Sequence, residues 1–432
     1  MAARERGYPL SPKEVTTEFL SMCFGKEVTS FKLDTSMIDG GVLADAFKIE
    51  DIKYVEKQDE TDIISSCFIK CTKDIPEVVD MSISTQIYAK EVYFYSKLIG
   101  RIKKAIRVPE CYGIFTDKDD KDCKDFCIVL EDLSGEDWEA YEQFENPMGL
   151  EDLKKYMLDL ASFHSASWNE PISDQPGLGV FRPHWQNLND EYWDNGTTTW
   201  NEVKIKWEEI YGEPFELLAG DEVKVTIEKI AEIFTSEKGK KIQDAMLKRL
   251  KSRPRTITHG DARGNNVFKS KSKGNMALID WQMWVAGPCS NEFCQIWLNS
   301  WSLDSGMVFK LEEVTKIYYE ELCRLRPEVE KGYPFDDMFF DMKLIFINMW
   351  NQYQGFAAGA LDGYKDPKQK RAKENFYNLF KRSMETLHYS NCLETFDFFL
   401  LTFIYACFLA VLTAPSTASA PEFAKNTFSA KV

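Results

Sequence analysis

The sequence has no C-x-x-C pair, no long basic block, no internal repeat and no signal-peptide pattern in its polar start, Met1 to Pro12. Each absence removes a class of protein. Its eleven cysteines are odd in number and scattered; Cys67/Cys71 and Cys123/Cys127 are each spaced by four, but no His or further Cys pair completes a zinc set. Reduced, buried thiols are therefore expected, and with the polar start they point to the cytosol. A formal net charge of −16 argues against non-specific binding of nucleic acid, which needs clustered Lys and Arg against phosphate. A neutral or cationic partner fits that field better. Long apolar runs are missing too, with one exception: Phe398 to Ala414 is uncharged and almost wholly apolar. It is close to the shortest stretch that spans a bilayer, so a buried C-terminal helix is expected there, with membrane contact as the alternative. The Ala-, Ser- and Pro-rich residues after it are expected to be disordered.

What is present is enough apolar residue for a sizeable core without disulfide or metal staples, in a chain of 432 residues. Residues 1–30 read as a helical extension, opened by Ser11-Pro12. Residues 31–132 alternate short β-like runs with polar turns, among them Ala44 to Ile49, Ile63 to Cys71 and Phe126 to Leu130, and hold one clear helix around Ile87 to Ile99. Residues 133–414 are dominated by helical patterns, interrupted by a Gly- and Asn-bearing stretch at Thr258 to Gly274, and 415–432 form the tail. Asn169 to Thr199 is a long polar connection that reads as an insertion. The expected fold is α+β, a small β-rich lobe followed by a larger, mostly helical one.

The strongest chemical signal is His259-Gly260-Asp261-Ala262-Arg263-Gly264-Asn265-Asn266, followed by Asp280 in Leu278-Ile279-Asp280-Trp281-Gln282. Phosphoryl transfer needs a carboxylate to orient or deprotonate the attacking hydroxyl, and an amide and a second carboxylate to hold magnesium against the phosphates. Asp261 suits the first role; Asn266 and Asp280 suit the second. Their spacing is that of a kinase catalytic loop and metal loop. Upstream, Lys70 ends a β-like run on the Phe68 face, and Glu91 lies on a helix face with Tyr95 and Leu98. A carboxylate on an apolar face needs a partner, and Lys70 is the natural one, which would place its ammonium on the α- and β-phosphates of ATP. Gly40 and Gly41, in Asp39-Gly40-Gly41-Val42, sit in a turn between strands that suits a roof over those phosphates. The strand Ile128 to Leu130 runs into Glu131-Asp132-Leu133 where the lobes meet, and the backbone of Glu131 and Leu133 is placed to meet the adenine edge.

With these residues assembled, the chain resembles the choline-kinase-like and ecdysteroid-kinase-like branch of the aminoglycoside-phosphotransferase superfamily, from about Gly40 to about Leu298. The resemblance rests on Glu91-Val92-Tyr93-Phe94-Tyr95, on Leu130-Glu131-Asp132-Leu133 and on Leu160-Ala161-Ser162-Phe163-His164. The His259 to Asn266 loop and Ile279-Asp280-Trp281-Gln282 complete it. It implies a bilobal protein-kinase-like fold, ATP and Mg2+ as cofactors, Asp261 as base, Asn266 and Asp280 as metal ligands, Lys70 with Glu91 as the phosphate-positioning pair, and structural roles for His164 and His259. Two positions depart from the pattern. Arg263 replaces a frequent aromatic residue and is placed to donate to the transferring phosphate. Asn291-Glu292-Phe293 stands where Asp-Leu is usual, a change that bears on how the catalytic loop is supported.

The implied activity is ATP-dependent transfer to a hydroxyl of a small molecule: an amino alcohol such as choline or ethanolamine, a steroid or another natural product. Trp281, Trp284, Trp297, Trp301, Trp350 and Tyr353 offer either core packing or an aromatic platform for such an acceptor. The rival from another class is a pseudokinase, a nucleotide- or partner-binding module without turnover. A protein kinase fits less well, because His-Gly-Asp replaces His-Arg-Asp and no Ala-Pro-Glu follows Asp280.

Overall fold

The computed structural model describes residues 6–34, 43–55, 63–117, 120–135, 137–142, 146–175, 177–179, 196–234, 239–301, 306–366 and 369–395. Gly40, Gly41, the apolar run Phe398 to Ala414, the tail 415–432 and residues 180–195 of the long connection lie outside them. The described parts of 1–187 and 253–335 form one compact unit, and those of 188–252 and 336–432 a second.

In the first unit, strands β1 (Val28–Asp34), β2 (Ala44–Tyr54), β3 (Cys67–Thr72), β4 (Cys111–Thr116) and β5 (Phe126–Glu131) make one sheet in the order β1-β2-β3-β5-β4. Every neighbouring pair is antiparallel. The two-residue period divides β3 between its faces. Cys67, Ile69 and Cys71 join Phe47, Ile49 and Val129 in a core closed by Phe19 and Leu20, from the helix Thr17–Phe24. Thr16 caps that helix by accepting the Phe19 N–H, and Gly25 ends it at φ 65°. The N-terminal segment is thus a cover for the outer face of the sheet. Lys70 points from the other face, where the helix Ile87–Tyr93 carries Glu91.

Two local features depart from the sequence reading. Strand β1 begins at Val28, inside the stretch read as helix and lead-in; Val28 alone of its residues is buried and its pairing with β2 is irregular, as an edge strand's often is, so the apolar alternation is weak. The helix around Ile87 to Ile99 is interrupted by a π-helical turn, Phe94–Leu98, before it resumes as Ile99–Ile102. Such turns are frequent at functional sites. Tyr95 and Leu98 remain buried.

Beyond β5 the first unit is largely helical, with short strands that carry the loops of interest: β6 (Trp138–Ala140), β7 (Thr256–Thr258), β8 (Val267–Ser270), β9 (Met276–Leu278) and β10 (Val285–Gly287). β6, β8 and β9 form a three-stranded sheet; β7 pairs with β10. The helix Leu150–Ser165 buries Leu153, Tyr156, Met157, Leu160 and His164 at helical spacing, and the helix Ser290–Asn299 is buried on all sides. A β-sheet region with a Lys–Glu pair, followed by a mostly helical region, is an α+β protein-kinase-like fold.

The second unit is helical, built from Gly196–Tyr211, Asp221–Phe234, Gly239–Lys251, Lys370–Tyr389 and nearly all of Phe335–Ala360. Its core is aromatic: Phe215 stacks on Trp350 with centroids 5.7 Å apart, and both lie edge-on to Phe380. No helix among the described residues is long and apolar enough to cross a membrane. The described cysteines are free.

Candidate active site

Three segments that are far apart in sequence meet at Lys70. Its ammonium lies 2.7 Å from Glu91 and 2.6 Å from Asp280, and donates to the Gln282 side-chain oxygen at 3.3 Å. Gln282 in turn donates to the other Asp280 oxygen at 3.0 Å. Burial works to lower the Lys70 ammonium, but the charges of Asp280 and Glu91 outweigh it and hold it above its ordinary value. Burial also pushes the Glu91 carboxyl up, to about 7, against the pull of Lys70. Asp280 is held below the usual carboxylate range: burial alone would raise it, and Lys70 overrides burial.

Asp280 has a left-handed backbone, φ 65° and ψ 63°, a conformation that costs a non-glycine residue free energy. The strain coincides with the turn that aims its carboxylate at Lys70. Strand β9 delivers it there, and the fold locks the turn from behind. Trp281 stacks on Phe94 with centroids 4.0 Å apart and planes 6° from parallel, and its indole N–H donates to Leu278 O at 3.1 Å.

The His259–Asn266 loop is tied to the same turn through His259. Its Nδ1 accepts the Asp261 N–H at 3.2 Å, which leaves the ring proton on Nε2, where it donates to Ile279 O at 2.7 Å. One imidazole thereby sets the spacing between the Asp261 loop and the Asp280 strand. Gly260 has φ 83°, and a Cβ there would lie 2.2 Å from Met283 O, so only glycine lets the two loops approach this closely. Asn266 donates its amide to Asp261 O at 2.7 Å and to Asp261 Oδ2 at 3.1 Å. Its amide oxygen is then the atom left to meet a cation. Burial raises the Asp261 carboxyl above its ordinary value, with Arg263, whose Nε is 3.4 Å from Oδ2, working the other way.

Glu292 answers the question raised by Asn291-Glu292-Phe293. Fully buried, it accepts the His259 N–H, so a carboxylate supports the His259–Asn266 loop in this chain. His164 lies beside it, with Nε2 3.8 Å from the carboxylate and Nδ1 2.6 Å from Tyr318 Oη. Burial pushes the His164 imidazole below its ordinary value and keeps it neutral. Replacing Glu292 by Leu leaves a buried N–H without its acceptor, at a cost of about 1–3 kcal/mol. The expected result is a lower midpoint of urea unfolding and a lower turnover, with Glu292→Gln, which keeps an acceptor oxygen, closer to wild type in both.

The strand end meant for adenine is more constrained than the sequence suggests. The Glu131 carboxylate is held by the Arg107 guanidinium and accepts the Glu110 N–H at 2.9 Å, while the Glu131 N–H donates to Glu110 O at 2.8 Å. Leu133 is buried. Lys70, Glu91, Asp261, Asn266 and Asp280 are thus brought together, Arg263 stands beside Asp261 and half exposed, and Glu131 and Leu133 lie at the end of β5. The six aromatic residues weighed as an acceptor platform are all buried; Trp350 and Tyr353 belong to the second unit.

Sequence reasoning missed Gln282 and Glu292. Gln282 lies two residues from Asp280 and was within reach of a motif reading; Glu292 is 33 residues from His259, and no local pattern signals that contact.

Fold and site together define a kinase-like phosphotransferase architecture. The chain belongs to the ecdysteroid kinase-like family, whose profile matches residues 47–330. No curated protein matches it in sequence. Similar solved structures include choline kinase from Cryptosporidium parvum, at 12% identity, 87% of this chain, 91% of that chain and a TM-score of 0.41. Choline kinase from Streptococcus pneumoniae matches at 13% identity, 83% and 93% coverage and 0.38. A spectinomycin phosphotransferase in complex with AMP matches at 11% identity, 85% and 96% coverage and 0.45.

Proposed function

We propose that the protein transfers the γ-phosphoryl group of ATP to a hydroxyl of a small molecule, with Asp261 as base, Asn266 and Asp280 as magnesium ligands and Lys70, fixed by Glu91, on the nucleotide phosphates. The observation that carries this reading is the convergence of Lys70, Glu91 and Asp280 on one side and Asp261 with Asn266 on the other, joined by His259. Carboxylate and amide oxygens are hard donors of the kind magnesium takes. Bound there, magnesium would neutralise charge on the transferring phosphate.

The residues divide the remaining work. Lys70 bridges two carboxylates and moves its charge from Asp280 to the phosphates when nucleotide binds, while Glu91 keeps its stem in place. Asp261 accepts the acceptor's proton. Arg263, half exposed beside it, donates to the transferring phosphate and favours the ionised form of Asp261. The Glu131 N–H and side chain are engaged, so its carbonyl is the group that faces the base, along with the Leu133 backbone. Gly40 and Gly41 would close the roof. The acceptor is a small alcohol, amino alcohol or steroid.

The pH dependence follows from Asp261. A base works only when ionised, and burial raises this carboxyl, so kcat/KM falls with acid at a pH above the ordinary aspartate range. Arg263 opposes that shift. Arg263→Met is therefore expected to move the acid limb to still higher pH, and a limb that stays in place removes Arg263 from this role.

A further inference from the structure

Protein kinases commonly hold the helix that bears their glutamate by means of an activation segment, and no Ala-Pro-Glu follows Asp280 here. Other parts of the chain contact the Glu91 helix on both sides of the glutamate. We propose that residues 170–175 and 177–179, together with Trp284, form a strap that fixes the Glu91 helix in its Lys70-paired position, with Gly179, Trp284 and Tyr93 as positioning residues. The inference deepens the kinase reading but rests on contacts that exist whether or not the protein turns over.

The contacts flank Glu91 on both sides. Before it, Lys90 O accepts the Trp284 indole N–H at 2.7 Å. After it, Tyr93 donates its hydroxyl hydrogen to Asp174 Oδ1 at 2.8 Å, and the Asp174 N–H donates back to the Tyr93 oxygen at 3.2 Å. The Tyr93 ring also packs on Trp284, centroids 5.8 Å apart. Further along, past the π-helical turn, Arg101 donates to Pro171 O at 3.3 Å.

Gly179 connects the strap to the indole. Its carbonyl accepts the Ala286 N–H at 2.7 Å, which joins the strap to β10, and its Cα lies against the Trp284 ring. It has φ 65°, and a Cβ would lie 2.2 Å from Trp284 Cζ3. Fully buried, Trp284 has little room to retreat without leaving Lys90. The strap, the loop after Asp280 and the Glu91 helix therefore move together or not at all. Exposed Asp174 adds less than the buried Gly179 contact, so the latter is the place to test it.

The test compares full-length wild type, Gly179→Ala and Trp284→Phe, each alone and in a Glu91→Gln background. Trp284→Phe keeps an aromatic ring but removes the donor to Lys90 and part of the ring surface against Gly179. The first readout is amide hydrogen exchange over residues 87–98, which needs no activity: both variants are expected to exchange about tenfold faster there, with strands β2 and β3 unchanged. The second is KM for ATP against KM for the acceptor. Both variants are expected to raise the former several-fold, leave the latter unchanged and have no further effect once Glu91 is Gln. Unchanged exchange over 87–98 overturns the strap, as does a loss of equal factor with and without Glu91. Faster exchange at 87–98 in a protein that binds no nucleotide keeps the strap and refutes the kinase reading instead.

Discussion

Asp261→Asn is expected to reduce acceptor-dependent turnover by about 10²–10⁴-fold while leaving nucleotide binding close to wild type. Asn keeps the size of the side chain and can still accept from Asn266 Nδ2, which lies 3.1 Å from Oδ2, so the loop geometry set by the His259 and Asn266 bonds persists. What is lost is the capacity to take a proton. Turnover by rapid quench, beside the affinity for a fluorescent ATP analogue, separates the two. Near-normal turnover in this variant would remove Asp261 from its role as base and leave the phosphate-binding half of the site intact.

Lys70→Met is the second large effect, and it is double. It removes the ammonium meant for the phosphates, which should lower kcat by about 10²–10³-fold, as loss of a preorganised donor does. It also leaves Glu91, with a side chain only 1% exposed, without its cation. Removing one partner of a buried pair costs about 3 kcal/mol, because the remaining charge is uncompensated. The double variant Lys70→Met/Glu91→Gln is therefore expected to recover most of the lost stability and none of the activity. If the double variant is as unstable as the single one, Glu91 is held by something other than its pairing with Lys70.

The sequence was most legible where function compresses chemistry into short spacing. His259 to Asn266 and Ile279 to Gln282 are contiguous motifs, and the structure joins them by His259, which bonds Asp261 in its own loop and Ile279 in the other. The pairing of Lys70 with Glu91 was legible because a carboxylate on an apolar helix face demands a cation and a single lysine stood on the right face of β3. Contacts made by burial across long separations were not legible. Glu292 reads as a departure from a motif, yet its extra methylene still reaches the His259 N–H, a fact that depends on how a fully buried helix is set behind the loop. Gly179 looks like an ordinary turn residue until the Trp284 ring is seen against its Cα. Strand β1, with a mostly polar edge pattern, gives no clear period.

The left-handed Asp280 shows where the fold accepts strain, and Gly260 is where glycine permits a close approach to Met283 without it. Both are at the junction of the loops that carry Asp261 and Asp280.

The most direct measurement is transfer of labelled γ-phosphate from Mg-ATP by the purified full-length protein to a panel of choline, ethanolamine, aminoglycosides, steroids and sugar alcohols, with Asp261→Asn alongside. The account predicts that label appears in a phosphate ester of one acceptor class, requires magnesium and disappears in the variant. Tight nucleotide binding with no transfer to any hydroxyl, or transfer that survives Asp261→Asn, would contradict it.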